Sequence, residues 1–256
     1  MPPSVPPATG TPRPALVTSM ATRTLLIRAA ELANGDDTFD LTAIGGVEAA
    51  ERVSTGTDFD LVCLATGVLT DLAAAGHLDA ASITPLVRSD ACLALPTPRT
   101  PAAPPDEDAL IELLIGSRRI AYSTGPSGVR FVAQLKELGL HDRLAERLVQ
   151  APPGTPVAGF LVDGTADLAT QQRSELIGFP GVDVLALPGS FAHRTEFSVA
   201  IHSCAADPER ARRVIGHLIS PSVQNLADEL GLIPATADAG PHRPTEQNPT
   251  QEGKPE

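Results

Sequence analysis

Short apolar runs alternate with longer amphipathic stretches along most of the chain: ALVTS leads into Arg23 to Asn34, FDLTAI into Val47 to Thr55, and DLVCLA into Thr70 to Ala75. The short runs have the length of buried strands, whereas the stretches repeat apolar positions at helical spacing. This alternation predicts an α/β fold with a mainly parallel sheet, because each helix carries the chain back to begin the next strand in the same direction. Gly76, after LTDLAAA, suits the left-handed position that closes a helix. Later in the chain the pattern restarts, with a helix around Asp108 to Gly116, a strand at RIAYS and a helix from Pro126 to about Leu138. The apolar run GFLVDG, a helix near Ala166 to Leu176 and the run DVLALP follow. TEFSVAIHSC reads as a returning strand, and Asp207-Pro208 and Ser220-Pro221 each place an N-cap residue before a proline at the first helical position.

The two α/β stretches are separated by PTPRTPAAPPDED, Pro96 to Asp108, which reads as a linker or surface excursion. Residues 1–13 are rich in Pro and Thr, and residues 236–256 are polar and Pro-rich, so both are expected to be disordered tails. A chain of 256 residues is long enough to give each of two lobes its own core without disulfide staples.

Composition narrows the classes of partner. With no Trp, one Tyr and seven Phe, the chain lacks a stacking platform for nucleic-acid bases. A formal net charge of −12 sets a like-signed field against nucleic acid and anionic membrane surfaces. A small anion remains a plausible ligand, since donors at a helix N-terminus act locally while the distant surface charge is screened by salt. No run approaches the roughly 18 apolar residues of a membrane span, so no membrane insertion is expected. The start MPPSVPPATGTPRP has no basic segment followed by an apolar one; as written the expected location is cytoplasmic, and a start codon placed elsewhere leaves a periplasmic or extracytoplasmic one open. Cys63, Cys92 and Cys204 sit in apolar runs without CxxC spacing, which points to buried core residues and away from a disulfide framework or zinc site. The six histidines show no ligand spacing, and His193 and His202, which flank the returning strand, read as structural, with a place near the ligand as the alternative; no metal and no cofactor are expected.

Candidate chemistry gathers where strands end and helices begin. Ser19 stands between the first strand and first helix, so its hydroxyl and the following amides face a crevice, although a plain N-cap serine would look the same. Gly45-Gly46-Val47 opens the next helix and lets backbone amides approach a ligand, or simply makes a tight turn. Ser123-Thr124-Gly125-Pro126-Ser127-Gly128 repeats the device in the second α/β stretch: a strand end, hydroxyls, then Pro at the first helical position. Arg23, one helical turn after Ser19, either reaches the same crevice as a partner for a carboxylate or lies solvated on the surface. A Walker GK[ST] ending, a GxGxxG after the first strand and a GxSxG elbow are all absent from the sequence.

Five segments, TSMATRT, IGGVEAAERV, AYSTGPSGV, QAPPGTPV and TQQRSEL, together resemble the type II periplasmic-binding-protein fold. The specific likeness is to the molybdate-binding-protein-like group that also contains aconitate isomerase, and it runs from about Ala15 to Pro234. It implies two α/β lobes with the ligand crevice between them: residues 14–96 and 194–235 in lobe 1, residues 97–193 in lobe 2, with crossings near Leu95 to Pro98 and Ser190 to Thr195. It also implies that Thr18, Ser19 and Met20 grip the ligand from one side and the Ser123 to Gly128 segment from the other. Gln171, Gln172, Ser174 and Glu175 would face the crevice from a QQxSEL-like segment, with Arg173 at its variable position.

The resemblance carries two functions. An aconitate-isomerase-like enzyme would shift a double bond in a small tricarboxylate, converting cis- to trans-aconitate, with Glu175 or Glu48 as the proton shuttle and the amides at Ser19 and Ser127 with Arg23 holding the developing oxyanion. A substrate-binding protein would hold a molybdate-like oxyanion or organic acid for an ABC transporter and would need no base. Proteins of this build are expected to be monomers.

Overall fold

The computed structural model describes residues 12–56, 58–97, 104 and 106–235. Residues 1–11 and 236–256 of the expected tails, and most of the Pro96 to Asp108 cluster, lie outside the described residues.

The chain opens with three strand-helix units: β1 (Ala15–Thr18) and α1 (Arg23–Leu32), β2 (Asp40–Ala43) and α2 (Gly46–Thr55), β3 (Leu61–Ala65) and α3 (Thr66–Ala74). The long strand β4 (Thr84–Pro96) follows. Next come α4 (Glu107–Gly116), β5 (Ile120–Tyr122), α5 (Pro126–Glu137), α6 (His141–Leu144), β6 (Leu148–Gln150), α7 (Ala158–Val162), β7 (Leu168–Gln172), α8 (Arg173–Leu176) and β8 (Val182–Ala186). The chain returns through β9 (Arg194–Ile201) and ends on α9 (Pro208–Leu218), α10 (Pro221–Gln224) and β10 (Ile233–Pro234). Asp207 accepts a hydrogen bond from the Arg210 amide at 2.9 Å, the N-cap that Asp207-Pro208 predicts. Gly76 has φ +87°, as a helix-closing glycine should.

The strands run in the order β2-β1-β3-β9-β4-β7-β5-β6, with β8 and β10 also paired to β4. β1 is parallel to β2 and β3, and β5 to β6 and β7, while β9 is antiparallel to both β3 and β4. Alternate residues of each strand enter opposite cores, as the pleat requires. In lobe 1, Leu16 packs with α1 and α9 residues such as Leu25 and Val214, whereas Val17 packs with Val53 of α2 and Leu69 of α3. In lobe 2, Leu93 and Leu95 pack with Leu114 and Phe131, and Cys92 and Ala94 with Leu161 and Leu176. Each such leucine contributes about 1.5–3 kcal/mol by leaving water, which is what holds every helix against its strand.

β4 belongs to both lobes. Thr84 to Asp90 pair with β9, and Ala91 to Pro96 pair with β7 and β8. The exchange of partners falls at Asp90–Ala91, ahead of the Leu95 to Pro98 stretch where the sequence reading puts the first crossing, because the apolar run Ala91 to Leu95 continues the strand into the second core. The return crossing lies between Phe191, in the lobe 2 core, and Phe197, in that of lobe 1.

Three expectations are corrected. GFLVDG contributes to the short helix α7 instead of a strand, and Leu168–Gln172, expected inside a helix, is the strand β7 lying between β4 and β5, with all of its residues buried. The polar end TQQ hides this strand, since three buried polar side chains break the apolar pattern a buried strand shows. Cys204 is exposed, in the turn after β9, whereas Cys63 and Cys92 are buried. Among the described residues no helix is long and apolar enough to cross a membrane.

Candidate functional site

A narrow crevice with a cavity volume of about 50 Å³, partly open to solvent, lies where the lobes meet. Lobe 1 supplies Ser19, Met20, Ala21, Gly45, Gly46 and Phe197; lobe 2 supplies Ser123 to Ser127, Pro152, Gly154, Thr155, Gln171, Gln172 and Glu175.

On the lobe 1 side, β1 ends at Thr18 and a 3-10 turn, Met20–Thr22, leads into α1. Thr18 is fully buried behind the crevice wall, where its hydroxyl bonds that of Thr22 at 2.6 Å and ties the strand end to the turn. Ser19 at the start of the turn has a buried hydroxyl without a hydrogen-bond partner. Beside it, Gly45 and Gly46 begin α2 with no side-chain cap. A Cβ on Gly45 would stand 3.0 Å from the Pro153 Cβ and 3.2 Å from the Gly154 nitrogen, so the absence of a side chain lets the lobes close against each other.

Lobe 2 mirrors this arrangement. β5 ends at Tyr122, Gly125 precedes α5 without a side-chain cap, and Pro126 occupies the first turn. The hydroxyls of Ser123 and Ser127 lie 3.3 Å apart in a buried setting. The first-turn amides of α2 and α5 have no acceptor within their helices, so both ends bring donors and the positive end of a helix dipole to the crevice. The facing loop turns at Gly154, whose φ is +74°.

The third wall comes from β7 and α8. Gln171 accepts a hydrogen bond from the Val157 amide on Oε1 at 3.1 Å, which leaves its Nε2 to donate to Glu175 Oε2 at 2.6 Å. Gln172 donates from Nε2 to Thr195 Oγ1 at 2.7 Å. Among the described residues lining the crevice, Glu175 is the one charged side chain. The residue keeps some solvent contact, but its carboxyl is enclosed by protein, and burial pushes it up to about 8 against the smaller opposing pull of the Gln171 hydrogen bond. Such a carboxyl takes and gives a proton near neutrality, beside amides and hydroxyls suited to an oxyanion.

Of the residues expected from sequence, Ser19, Met20, Gly45, Gly46, Ser123, Thr124, Gly125, Ser127, Gln171, Gln172 and Glu175 line the crevice. Thr18, Arg23, Val47, Glu48, Gly128 and Ser174 do not. Val47 is 59% exposed on the outer face of α2. Gly128 is structural, since a Cβ there would overlap the Ser123 carbonyl. Ser174 turns toward Ser89 of β4, 3.4 Å away. Arg23 and Glu48 line a neighbouring groove with Ile27, Leu41 and Pro153, and Met20, Gly45 and Gly154 line both this groove and the crevice. The 3-10 turn shifts the start of α1, so Arg23 does not sit one α-helical turn above Ser19 as the spacing suggests. Sequence reasoning omitted Ala21, Pro152, Gly154, Thr155 and Phe197 as lining residues; the QAPPGTPV segment held a turn signal for three of them. Among the described residues no group of three or more His, Cys, Asp or Glu is placed to hold a metal ion.

Comparison with known proteins adds to this geometry. The family described as bacterial extracellular solute-binding protein matches residues 16–232. A Pseudomonas sp protein named aconitate isomerase is 30% identical over 190 residues, 73% of this chain and 71% of that protein. The periplasmic molybdate-binding protein of Azotobacter vinelandii superposes with a TM-score of 0.71 at 18% identity, covering 86% of this chain and 99% of that one. The sulfate-binding protein SubI of Mycobacterium tuberculosis superposes at 0.70 with 15% identity, covering 89% and 88%. These likenesses agree with the two-lobed α/β architecture.

Proposed function

The chain belongs to the bacterial extracellular solute-binding protein family, and from that premise we propose that its crevice binds a small tricarboxylate and moves a double bond within it, as the name of its aconitate isomerase relative suggests. The observation that carries the reading is Glu175, a carboxyl raised to about 8 and set in the same crevice as uncapped helix ends.

In this reading the amides at the starts of α2 and α5, with the hydroxyls of Ser19, Ser123 and Ser127, hold the carboxylates of cis-aconitate. Ionised Glu175 removes a proton from the methylene carbon beside a carboxylate. The electron pair shifts through the double bond as a dienolate, whose charge rests on carboxylate oxygens facing the donors. The protonated Glu175 returns the proton to the far carbon of the allylic system, giving trans-aconitate with no net change in protons. Enclosure strengthens each fixed donor. Glu48 lines the adjoining groove and is given no role in this reading. Incubating the protein with cis-aconitate and following trans-aconitate by proton NMR tests the proposal; full turnover in Glu175→Gln removes Glu175 from the mechanism.

The second reading is a solute-binding protein that delivers an oxyanion or organic acid to an ABC transporter. It is favoured by the neutral character of every crevice donor and the unpartnered Ser19 hydroxyl, which suit an oxyanion without chemistry. A rise in melting temperature specific to molybdate or tungstate, with no turnover of cis-aconitate, selects this reading over the first. The family's description as extracellular supports an exported protein, to be checked by cell fractionation. Both readings take the chain as a monomer hinged at β4 and at the 191–197 return.

A further inference from the structure

Three hydrogen-bonding side chains lead from the crevice wall to the outside of the hinge. Gln172, 1% exposed, lines the crevice and donates from Nε2 to Thr195 Oγ1 at 2.7 Å. Thr195, also buried, lies 3.3 Å from Nε2 of His193, a half-buried residue just before β9. At the other end, Gln172 Oε1 is buried without a partner.

The Thr195 hydroxyl has one proton and two neighbours in this chain, so the sense of the chain is decided by the imidazole. When His193 Nε2 is unprotonated, Thr195 donates to it, accepts from Gln172 Nε2 and leaves Gln172 Oε1 without a protein donor. When Nε2 carries a proton it donates to Thr195, whose own proton then needs an acceptor. Rotation of the Gln172 amide, which exchanges groups of nearly equal shape, brings Oε1 to Thr195 and puts the NH₂ where the unpartnered Oε1 stood, on a residue that lines the crevice. The neutral ring reaches either arrangement through its two tautomers, whereas imidazolium, with both nitrogens protonated, satisfies all three side chains only in the second.

We propose that His193 is a positioning residue that sets, through Thr195, whether Gln172 offers the ligand a carbonyl oxygen or an amide N–H, so that the neutral ring permits both and protonation of His193 fixes this wall of the crevice as a donor. The inference rests on the reading of the crevice as an anion site. An anionic ligand gains a donor in the protonated arrangement and meets a lone pair in the other, so its affinity rises as His193 charges.

The groups facing His193 place this step in acid. Burial and then Arg130 of α5 lower its proton affinity, and Asp90 of β4 opposes them. Arg194 is held by Asp90 through contacts of 2.7 and 3.1 Å, and Arg130 by Glu137 at 3.0 Å. The transition therefore falls below the ordinary histidine value of 6.5, clear of Glu175 at about 8.

The test is calorimetric titration of the wild-type protein and of Thr195→Val, which keeps the shape of Thr195 without its hydroxyl, from about pH 7 down to about pH 5. The probes are propane-1,2,3-tricarboxylate, which has no double bond to move, and molybdate. Protonation of the probe itself is common to both proteins, and so is the long-range pull of the imidazolium charge. Wild-type affinity should rise about tenfold more across this range than that of Thr195→Val, the size expected of one charge-assisted hydrogen bond, and Thr195→Ser should restore the wild-type rise. An equal rise in wild type and Thr195→Val overturns the relay while leaving the anion site standing. Should Thr195→Val not fold, His193→Gln decides in its place, and a wild-type rise in that variant overturns the relay. If neither probe binds wild type at any pH, the anion-site reading falls and the relay with it.

Discussion

Replacing Glu175 by glutamine keeps the side-chain length and leaves an oxygen to accept from Gln171 Nε2, but removes a group that resists ionising where it sits. Folded Glu175 holds its proton up to about 8, against an ordinary value of 4.5. Between those values the folded protein binds more protons than the unfolded chain, so this residue makes stability fall as pH rises through the window. Below it both states are protonated and the effect vanishes. At about 1.4 kcal/mol per pKa unit, the part of the window below pH 7 amounts to about 3 kcal/mol at most. Glu175→Gln should therefore match wild type near pH 4.5 and exceed it by up to about 3 kcal/mol at pH 7, equivalent to about 6–12 °C in melting temperature. Urea unfolding of both proteins at several pH values measures the difference directly. Parallel stability profiles from acid to neutral pH would refute the desolvation argument, and with it the assignment of Glu175 as a base poised near neutrality.

Two further expectations test the crevice walls. Ser19→Ala deletes a buried hydroxyl that has no partner in the protein, so unfolding free energy should change by less than about 0.5 kcal/mol while ligand affinity, read by calorimetry, falls about tenfold. Gly45→Ala sets a methyl group 3.0 Å from Pro153 Cβ, which should hold the lobes apart, increase the radius of gyration in small-angle scattering and weaken ligand binding by about tenfold, in line with an overpacking cost of about 1–3 kcal/mol.

The strand-helix units were legible wherever hydrophobicity alone decided burial. β1, β3 and α5 follow their apolar periodicity, and the Ser123 to Gly128 turn carries its own helix-start chemistry. β4 was missed because Pro85, Arg88 and Asp90 interrupt its apolar alternation; their places are set by β9 and β10, partners far along the chain. β7 escaped for a related reason: Gln171 and Gln172 are buried polar residues whose hydrogen bonds to Val157, Glu175 and Thr195 form only in the folded chain. Arg23 and Glu48 show the limit of spacing arguments in a site. Both lie near the right helix ends, but in the folded chain they line the groove that adjoins the crevice at Met20, Gly45 and Gly154.

The continuity of β4 governs how a ligand gets in and out. A pair of lobes joined by slack loops swings open freely, but here a single strand keeps backbone hydrogen bonds with β9 on one side of Asp90 and with β7 and β8 on the other. Opening must then proceed as torsion along that strand, with the ladders on either side staying intact and resisting the rotation.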